Sequence, residues 1–481
     1  MPVTTRRFFL QAAGALTATA VLRRSTQAAD VNSQIRVGVV GCNGRGRTHI
    51  SAFRDQLVAL CDCDAEVLAR EVDKFERNND RKVEGITDFR RLLERSDVDA
   101  ISIATPNHTH SLIAILALQA GKDVYCEKPV SQTVWEGRQL VNAADRYNRV
   151  VQCGTQARSH LAIQRAVDYV RSGALGTIQY VIGTCYKARP AIGKLERPLQ
   201  VANHINYDLW CGPVAKVDLY RPKLHYDWHW DYNTGNGDMG NQGIHQMDVA
   251  RWFLGVNTLS PRVVSFGGRL GYDDAGNTAN TQVVLHDYDE APLIFETRGL
   301  PRSREARRTW KRSMDDYRGS RIGIVVQCEK GYVVSTDSYD IVQAYSLDDE
   351  VIQTWRGGGN HFANFLDAVR NRNVSELNAP VLEGHLSSAL CHTGNISHML
   401  GQPRTANEIL ESAGGNERLR DSLGRMFKHL RDNEIEIDQP AVIAGAYLEM
   451  DTKSERFTNM EGANALLHRE DREPFQVPEV S

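Results

Sequence analysis

Between residues 35 and 153 short apolar runs alternate with helical patterns, and this alternation restricts the possible fold more than any other feature of the chain. The runs 35 to 40, 57 to 61, 83 to 86, 99 to 104, 123 to 126 and 150 to 153 read as strands. The segments 46 to 55, 65 to 77, 88 to 95, 109 to 120 and 133 to 148 between them read as helices. Strands separated by helices return in the same direction, which specifies a doubly wound parallel sheet with helices on both faces. Such sheets bind ligands beyond the carboxyl ends of their strands. Three polar groups of residues fall at those ends: a glycine-rich turn from Gly38 to Gly46, Thr105-Pro106-Asn107-His108-Thr109-His110, and Glu127-Lys128-Pro129.

The glycine-rich turn follows a strand and opens a helix, the geometry in which backbone N–H groups face a pyrophosphate. In the register G-x-G-x-x-G the positions are Gly41, Asn43 and Gly46, so asparagine stands where the second glycine is expected. Asparagine tolerates positive φ, and Gly44 beside it can make the close approach instead. The strand 57 to 61 then ends at Asp62, twenty-one residues after Gly41, where a carboxylate holds the adenosine ribose hydroxyls. A carboxylate there repels a 2′-phosphate and favours NAD over NADP, although Arg45 or Arg47 can accept a phosphate. The alternative for Asp62 is an N-cap of the helix from Asp64.

The chain has 481 residues, more than one core usually holds, and implies two domains with extensions. Its 57 basic and 60 acidic residues give a net charge of −3 without a basic stripe, which argues against nucleic acid. Nine cysteines are scattered in apolar runs and lack metal-ligand spacing, so they read as small core residues. At the N-terminus Thr5-Arg6-Arg7-Phe8-Phe9-Leu10 precedes an apolar stretch from Ala12 to Leu22, too short to span a bilayer. This resembles a twin-arginine export signal, with cleavage after Ala28. Residues 1 to 28 hold four arginines and no acids, so the mature chain has 53 basic and 60 acidic residues, a net −7. The expectation is a periplasmic or otherwise exported protein, handled by the twin-arginine machinery and free of the membrane once mature.

A second domain is expected from Gly154 to Gly401, after the dinucleotide-binding unit of residues 33 to 153. A helix over 160 to 172 precedes strands at 178 to 186, 262 to 267, 280 to 287, 292 to 298, 321 to 328, 331 to 335 and 340 to 345. Clustered strands after a helix indicate an α+β domain with a mostly antiparallel sheet. If a helix runs from about 241 to 253, Asn241, His245 and Asp248 fall on one face at i, i+4 and i+7. His245 suits a general base, since imidazole titrates near neutral pH. Asn241 can hold a hydroxyl but cannot take a proton, and Asp238 or Asp248 is left to supply a carboxylate. Tyr207 and Trp228 belong to two aromatic, polar stretches that suit a carbohydrate, whose C–H face stacks while its hydroxyls need polar partners. His225, Asp227 and His229 alternate as on a strand face but lack a fourth ligand, so no metal is expected. The glycine run 357 to 359 reads as a plain turn, with no apolar strand leading into it, and residues 402 to 481 read as a C-terminal surface extension.

Taken together, the turn from Gly41 to His49, Thr105-Pro106-Asn107 with His110, Gly121-Lys122-Asp123-Val124 and Glu127-Lys128-Pro129 resemble the Gfo/Idh/MocA oxidoreductases. The segment Gly237 to Asp248 is similar to that family's D-x-G-x-H-x-x-D motif, with Asn241 in place of the first aspartate. The resemblance implies that Lys128 contacts the reacting hydroxyl and the nicotinamide ribose, and that Pro129 follows a cis bond. It implies His245 as the general base or acid, and a large sheet whose one face covers the cofactor cleft while the other makes homo-oligomer contacts.

The resulting expectation is an exported NAD-dependent oxidoreductase acting on a hydroxyl of a sugar, cyclitol or glycoside. No soluble NAD pool is expected outside the cytoplasm, so the cofactor is expected to be loaded before export and regenerated within each cycle. A redox-neutral glycosidase, lyase or epimerase using transient oxidation is the alternative; the exported N-acetylgalactosaminidases of the family usually lack the E-K-P lysine, which favours the dehydrogenase-like branch. A non-catalytic sugar-binding protein is the third reading, kept open by Asn241.

Overall fold

Six parallel strands form the first layer in the order β3-β2-β1-β4-β5-β6. They are β1 (Val37–Val40), β2 (Leu57–Cys61), β3 (Glu84–Ile86), β4 (Ala100–Ile103), β5 (Asp123–Cys126) and β6 (Val151–Cys153). The computed structural model describes residues 34–336 and 338–481, so the arginine-rich segment and its cleavage site lie outside the described residues. β1, β4, β5 and β6 are buried at every position, as expected for strands with helices on both faces. Asp64, not Asp62, caps the helix Ala65–Asn79, its Oδ1 accepting from the N–H groups of Glu66 at 3.0 Å and Val67 at 3.1 Å. Asp62 is thereby left to face the strand ends.

The second layer is a 12-stranded sheet. Its main path is β14 (Val351–Arg356), β13 (Ile341–Ser346), β12 (Gly331–Ser335), β11 (Ile322–Cys328), β7 (Ile178–Tyr186), β10 (Pro292–Arg298), β9 (Thr281–Asp287), β8 (Arg262–Gly268), β16 (Val442–Ala444) and β15 (Gln402–Arg404). Two short strands, β17 (Leu448–Asp451) and β18 (Arg456–Phe457), join beside β8. All pairings are antiparallel except β7 with β10. Along β7, Val181 and Cys185 face a core shared with the helix Ile244–Leu254, whereas Tyr180 and Ile182 face the opposite side.

Residues 402 to 481 are not a surface extension. The helix Glu417–Asp432 lays Leu423, Met426, Phe427 and Leu430 over Tyr180, Ile182, Phe266 and Leu285 on the outer face of the large sheet. This covers much of the face on which oligomer contacts were expected. Farther on, Phe475, Val477 and Val480 are buried in the core of the first layer. A charged sequence hid this because only one stripe of an amphipathic helix needs to be apolar. The glycine turn at 357 to 359 is also entered differently from expectation, for β14 leads straight into it. β14 is an exposed edge strand, with an apolar signal too weak to recognise. Among the described residues, no helix is long and apolar enough to cross a membrane.

Candidate active site

The carboxyl ends of β1, β2, β4 and β5 open into one cavity of about 660 Å³, closed on its other side by the second domain. That volume lies within the range for small-molecule and cofactor sites. At one end is the glycine turn, where Gly41, Asn43, Gly44 and Arg45 line the wall. Gly44, not Asn43, takes the left-handed conformation, at φ +50°, and Asn43 Oδ1 accepts from its N–H at 3.0 Å. The asparagine thus organises the turn that the missing glycine was expected to make. Gly46 does not line the cavity; a Cβ there would stand 1.8 Å from the Gly41 carbonyl oxygen, so its contribution is to let the turn close.

Asp62 lines the same cavity, its carboxylate accepting from the N–H of Cys42 at 2.8 Å and of Asp64 at 3.0 Å. Burial raises its pKa against these two bonds. An open turn, a helix start and a carboxylate one strand away fit the pyrophosphate and ribose of a dinucleotide.

Glu127 organises the middle of the cavity. Its Oε1 accepts from Arg45 Nε at 2.7 Å and Gln156 Nε2 at 3.0 Å and lies 3.1 Å from His49 Nε2. Burial opposes its charge, but Arg45 and His49 prevail and hold the carboxyl well below the usual range. Thr105, Asn107 and His110 also line the wall. Asn107 Nδ2 donates to Asn236 Oδ1 at 3.0 Å. The ring nitrogens of His110 each lie 2.7 Å from a carbonyl, those of Pro129 and Thr105, so this histidine pins two strand-end loops together. The Lys128–Pro129 peptide is cis.

At the far end Lys128, Asn241 and His245 meet; Trp228 lines the same cavity, its ring stacked on His229 with centroids 3.6 Å apart. Lys128 Nζ donates to the Asn241 carbonyl at 2.5 Å. Burial lowers the lysine pKa, partly offset by Glu127. Burial and the Lys128 charge push His245 down to about 3, so its imidazole is neutral at working pH. His245 Nδ1 is buried without a hydrogen-bond partner among the described residues, an orphaned polar atom beside a lysine. A hydroxyl bound between them would meet both a proton acceptor and a donor.

The regular helix starts only at Ile244, after a wide turn over Met239–Gly243, and the expected common face is broken. Asn241 and His245 reach the cavity, but Asp248 does not. Asp248 is fully buried, bound to Arg158 Nε at 2.9 and 3.0 Å and to Ser387 Oγ at 2.7 Å. Asp238 is likewise held by Arg189 at 2.8 and 2.6 Å, so neither aspartate supplies a carboxylate to the site. Tyr207 also misses the cavity; it stacks on Trp210 with centroids 5.7 Å apart, and Trp210 lines the wall. Asp227–Trp230 forms a tight turn rather than a strand, which puts His225 and His229 on the wall without Asp227. Among the described residues no group of His, Cys, Asp or Glu is placed to hold a metal.

Gln156, Lys187 and Gln242 were not anticipated. Gln156 stands just past the end of β6, so the strand-end rule that identified Lys128 could have found it; Lys187 follows β7 of the mostly antiparallel sheet, where that rule does not apply.

Residues 35–155 match the family model described as oxidoreductase family, NAD-binding Rossmann fold, and residues 168–298 match oxidoreductase family, C-terminal alpha/beta domain. The chain belongs to the Gfo/Idh/MocA oxidoreductase family. A levoglucosan dehydrogenase from Pseudarthrobacter phenanthrenivorans is 24% identical over 244 residues, 48% of this chain and 54% of its own length. A glycosyl hydrolase family 109 protein from Shewanella sp. strain ANA-3 is 30% identical over 204 residues, 36% of this chain and 44% of its own. The match thus spans about half the length of these relatives. A solved levoglucosan dehydrogenase in complex with NADH and levoglucosan shares the fold, with a TM-score of 0.55 at 19% identity over 74% of this chain and 95% of that one.

Proposed function

We propose that this protein is an NAD-dependent oxidoreductase acting on a sugar, cyclitol or glycoside hydroxyl, and that it keeps its cofactor between turnovers. The observation that carries this reading is a single cavity with the glycine turn and Asp62 at one end and Lys128 and His245 at the other. Bound NAD would supply the hydride acceptor for the substrate C–H. Gly44, Arg45, Asp62 and Thr105 would hold it. Neutral His245 takes the hydroxyl proton, while the Lys128 ammonium, steadied by the Asn241 carbonyl, donates to the same oxygen as charge develops. Trp228, stacked on His229 in the wall, offers an apolar ring to the sugar.

Retention is supported by a segment of the second domain that crosses the lip of the cleft beside Asp62. Ala65 N–H donates to the His204 carbonyl at 2.9 Å, Asn206 N–H to that of Cys63 at 2.8 Å, and His225 Nε2 lies 2.9 Å from Asp64 Oδ2. These contacts tie the second domain to the strand end that carries Asp62, where a bound dinucleotide would lie. Export by the twin-arginine route belongs to the same reading and rests on Arg6-Arg7. So does a homo-oligomer, formed through the β13–β14 end of the sheet, where Leu347, Val351 and Ile352 are exposed.

The similarity to a glycosyl hydrolase family 109 protein also favours a redox-neutral cycle, in which the hydride returns to the same sugar after a bond has been cleaved or inverted. The test is to purify the exported protein, release and identify its nucleotide, and then offer sugars and glycosides. Stoichiometric NAD that is reduced by one sugar class supports net oxidation; altered product with no net reduction supports the redox-neutral cycle. Exported protein without nucleotide would overturn retention, and sugar binding with neither reduction nor product would make this a binding protein.

A further inference from the structure

The reacting end of the cavity carries an imbalance of charge. Among the described residues two carboxylates line the cavity: Asp62 lies at the glycine-turn end, and Glu127 is engaged by Arg45. Asp238 and Asp248 are each matched by a buried arginine away from the wall. Asn241 adds an amide where a carboxylate of similar size would fit. Against this stand Lys128, whose charge Glu127 offsets only in part, and Lys187, whose side chain bonds to Gln242 among the described residues. An oxidised nicotinamide brought to the same end would add positive charge. Unmatched charge in a partly desolvated cavity is unfavourable unless a ligand neutralises it.

Lys187 stands at the end of β7 and is half-buried. Its Nζ donates to Gln242 Oε1 at 3.3 Å, its one side-chain hydrogen bond among the described residues. That bond occupies Oε1 and leaves the NH2 of Gln242, which also lines the cavity, as a second donor. An ammonium with two further protons and an adjacent amide donor suit the two oxygens of a carboxylate.

We propose that the substrate is an anionic sugar, its carboxylate received by Lys187 and Gln242 while a ring hydroxyl reaches Lys128 and His245. The two donors, one on Lys187 and one on Gln242, match the two oxygens of a planar carboxylate; the third oxygen of a phosphate monoester would meet neither. The inference rests on the oxidoreductase reading and names the substrate class for that site.

Calorimetric titration of the nucleotide-loaded protein with matched pairs, glucuronate against glucose and galacturonate against galactose, tests it. The acids should bind at least tenfold more tightly than their neutral partners, and the preference should shrink as salt is raised. In Lys187→Met the acid-to-neutral ratio should fall to near one, and Lys187→Arg should restore part of it. If the Met variant loses its nucleotide or unfolds, Lys187→Gln is measured instead. Equal binding of acid and neutral sugars, or a ratio unchanged by the substitution, overturns the proposal while leaving the oxidoreductase reading intact. Tighter binding of glucose 6-phosphate than of glucuronate overturns it in favour of a phosphate. Binding of no sugar at all removes both readings.

Discussion

Asp248 offers the sharpest separation of a buried structural group from a substrate ligand, because its place in the motif suggests the second and its surroundings the first. Substituting Asp248→Ala removes both acceptors of Arg158 Nε and the acceptor of Ser387 Oγ, and leaves an arginine whose side chain is 6% exposed. Breaking a buried pair on one side costs about 3–5 kcal/mol. Arg158 retains Glu383 at 2.9 Å, so the lower figure, about 3 kcal/mol, applies. Asp248→Asn keeps one carbonyl acceptor and forfeits a charge-assisted bond, about 1.5–3 kcal/mol. At about 2–4 °C per kcal/mol for a unit of some 200 residues, the alanine variant should melt about 6–12 °C lower. Scanning calorimetry at saturating NAD measures this, since bound nucleotide shifts both proteins. At a temperature where the variant is folded, its KM should match that of the wild type. A melting point within about 2 °C of wild type together with a tenfold rise in KM would refute the reasoning and return Asp248 to the substrate.

Two further expectations follow from the site. His245 is neutral above a pKa of about 3, so as a general base it is competent throughout pH 5–8, and kcat/KM should show no acid limb near 6.5; His245→Gln should lower kcat by about 10²–10⁴. A limb at 6.5 that disappears in the variant would mean that the imidazole is solvated like a free one. Gly46→Ala should abolish nucleotide binding, measured by fluorescence of bound NADH, because its Cβ would stand 1.8 Å from the Gly41 oxygen; binding within threefold of wild type would show that the turn relaxes freely.

Much of the site was legible because its residues lie at strand ends, and strand ends are visible in a local pattern. Asp62, Thr105, Glu127 and Lys128 each follow a short apolar run directly, and all four line the cavity. Asp248 and Tyr207 were read from helical spacing and from composition, neither of which says which side of an element meets a ligand. The wide turn at Met239–Gly243 shifts the helix phase and turns Asp248 toward Arg158, ninety residues earlier in the chain. The role of residues 402 to 481 was hidden for a related reason. The face that the helix Glu417–Asp432 covers is built from strands more than a hundred residues away, and nothing local announces it.

By itself, the sequence determined the parallel sheet and the dinucleotide turn, because these depend on periodicity and on residues within a few positions of one another, whereas the roles of Lys128 and His245 were expected from a family resemblance. Only the tertiary structure decided that Asp238 and Asp248 are consumed by buried arginines, that Lys187 and Gln242 join Lys128, and that the outer sheet face is covered by the chain's own helix. Charge balance in a cavity is a sum over groups from distant segments, and only folding brings those groups within reach of one another.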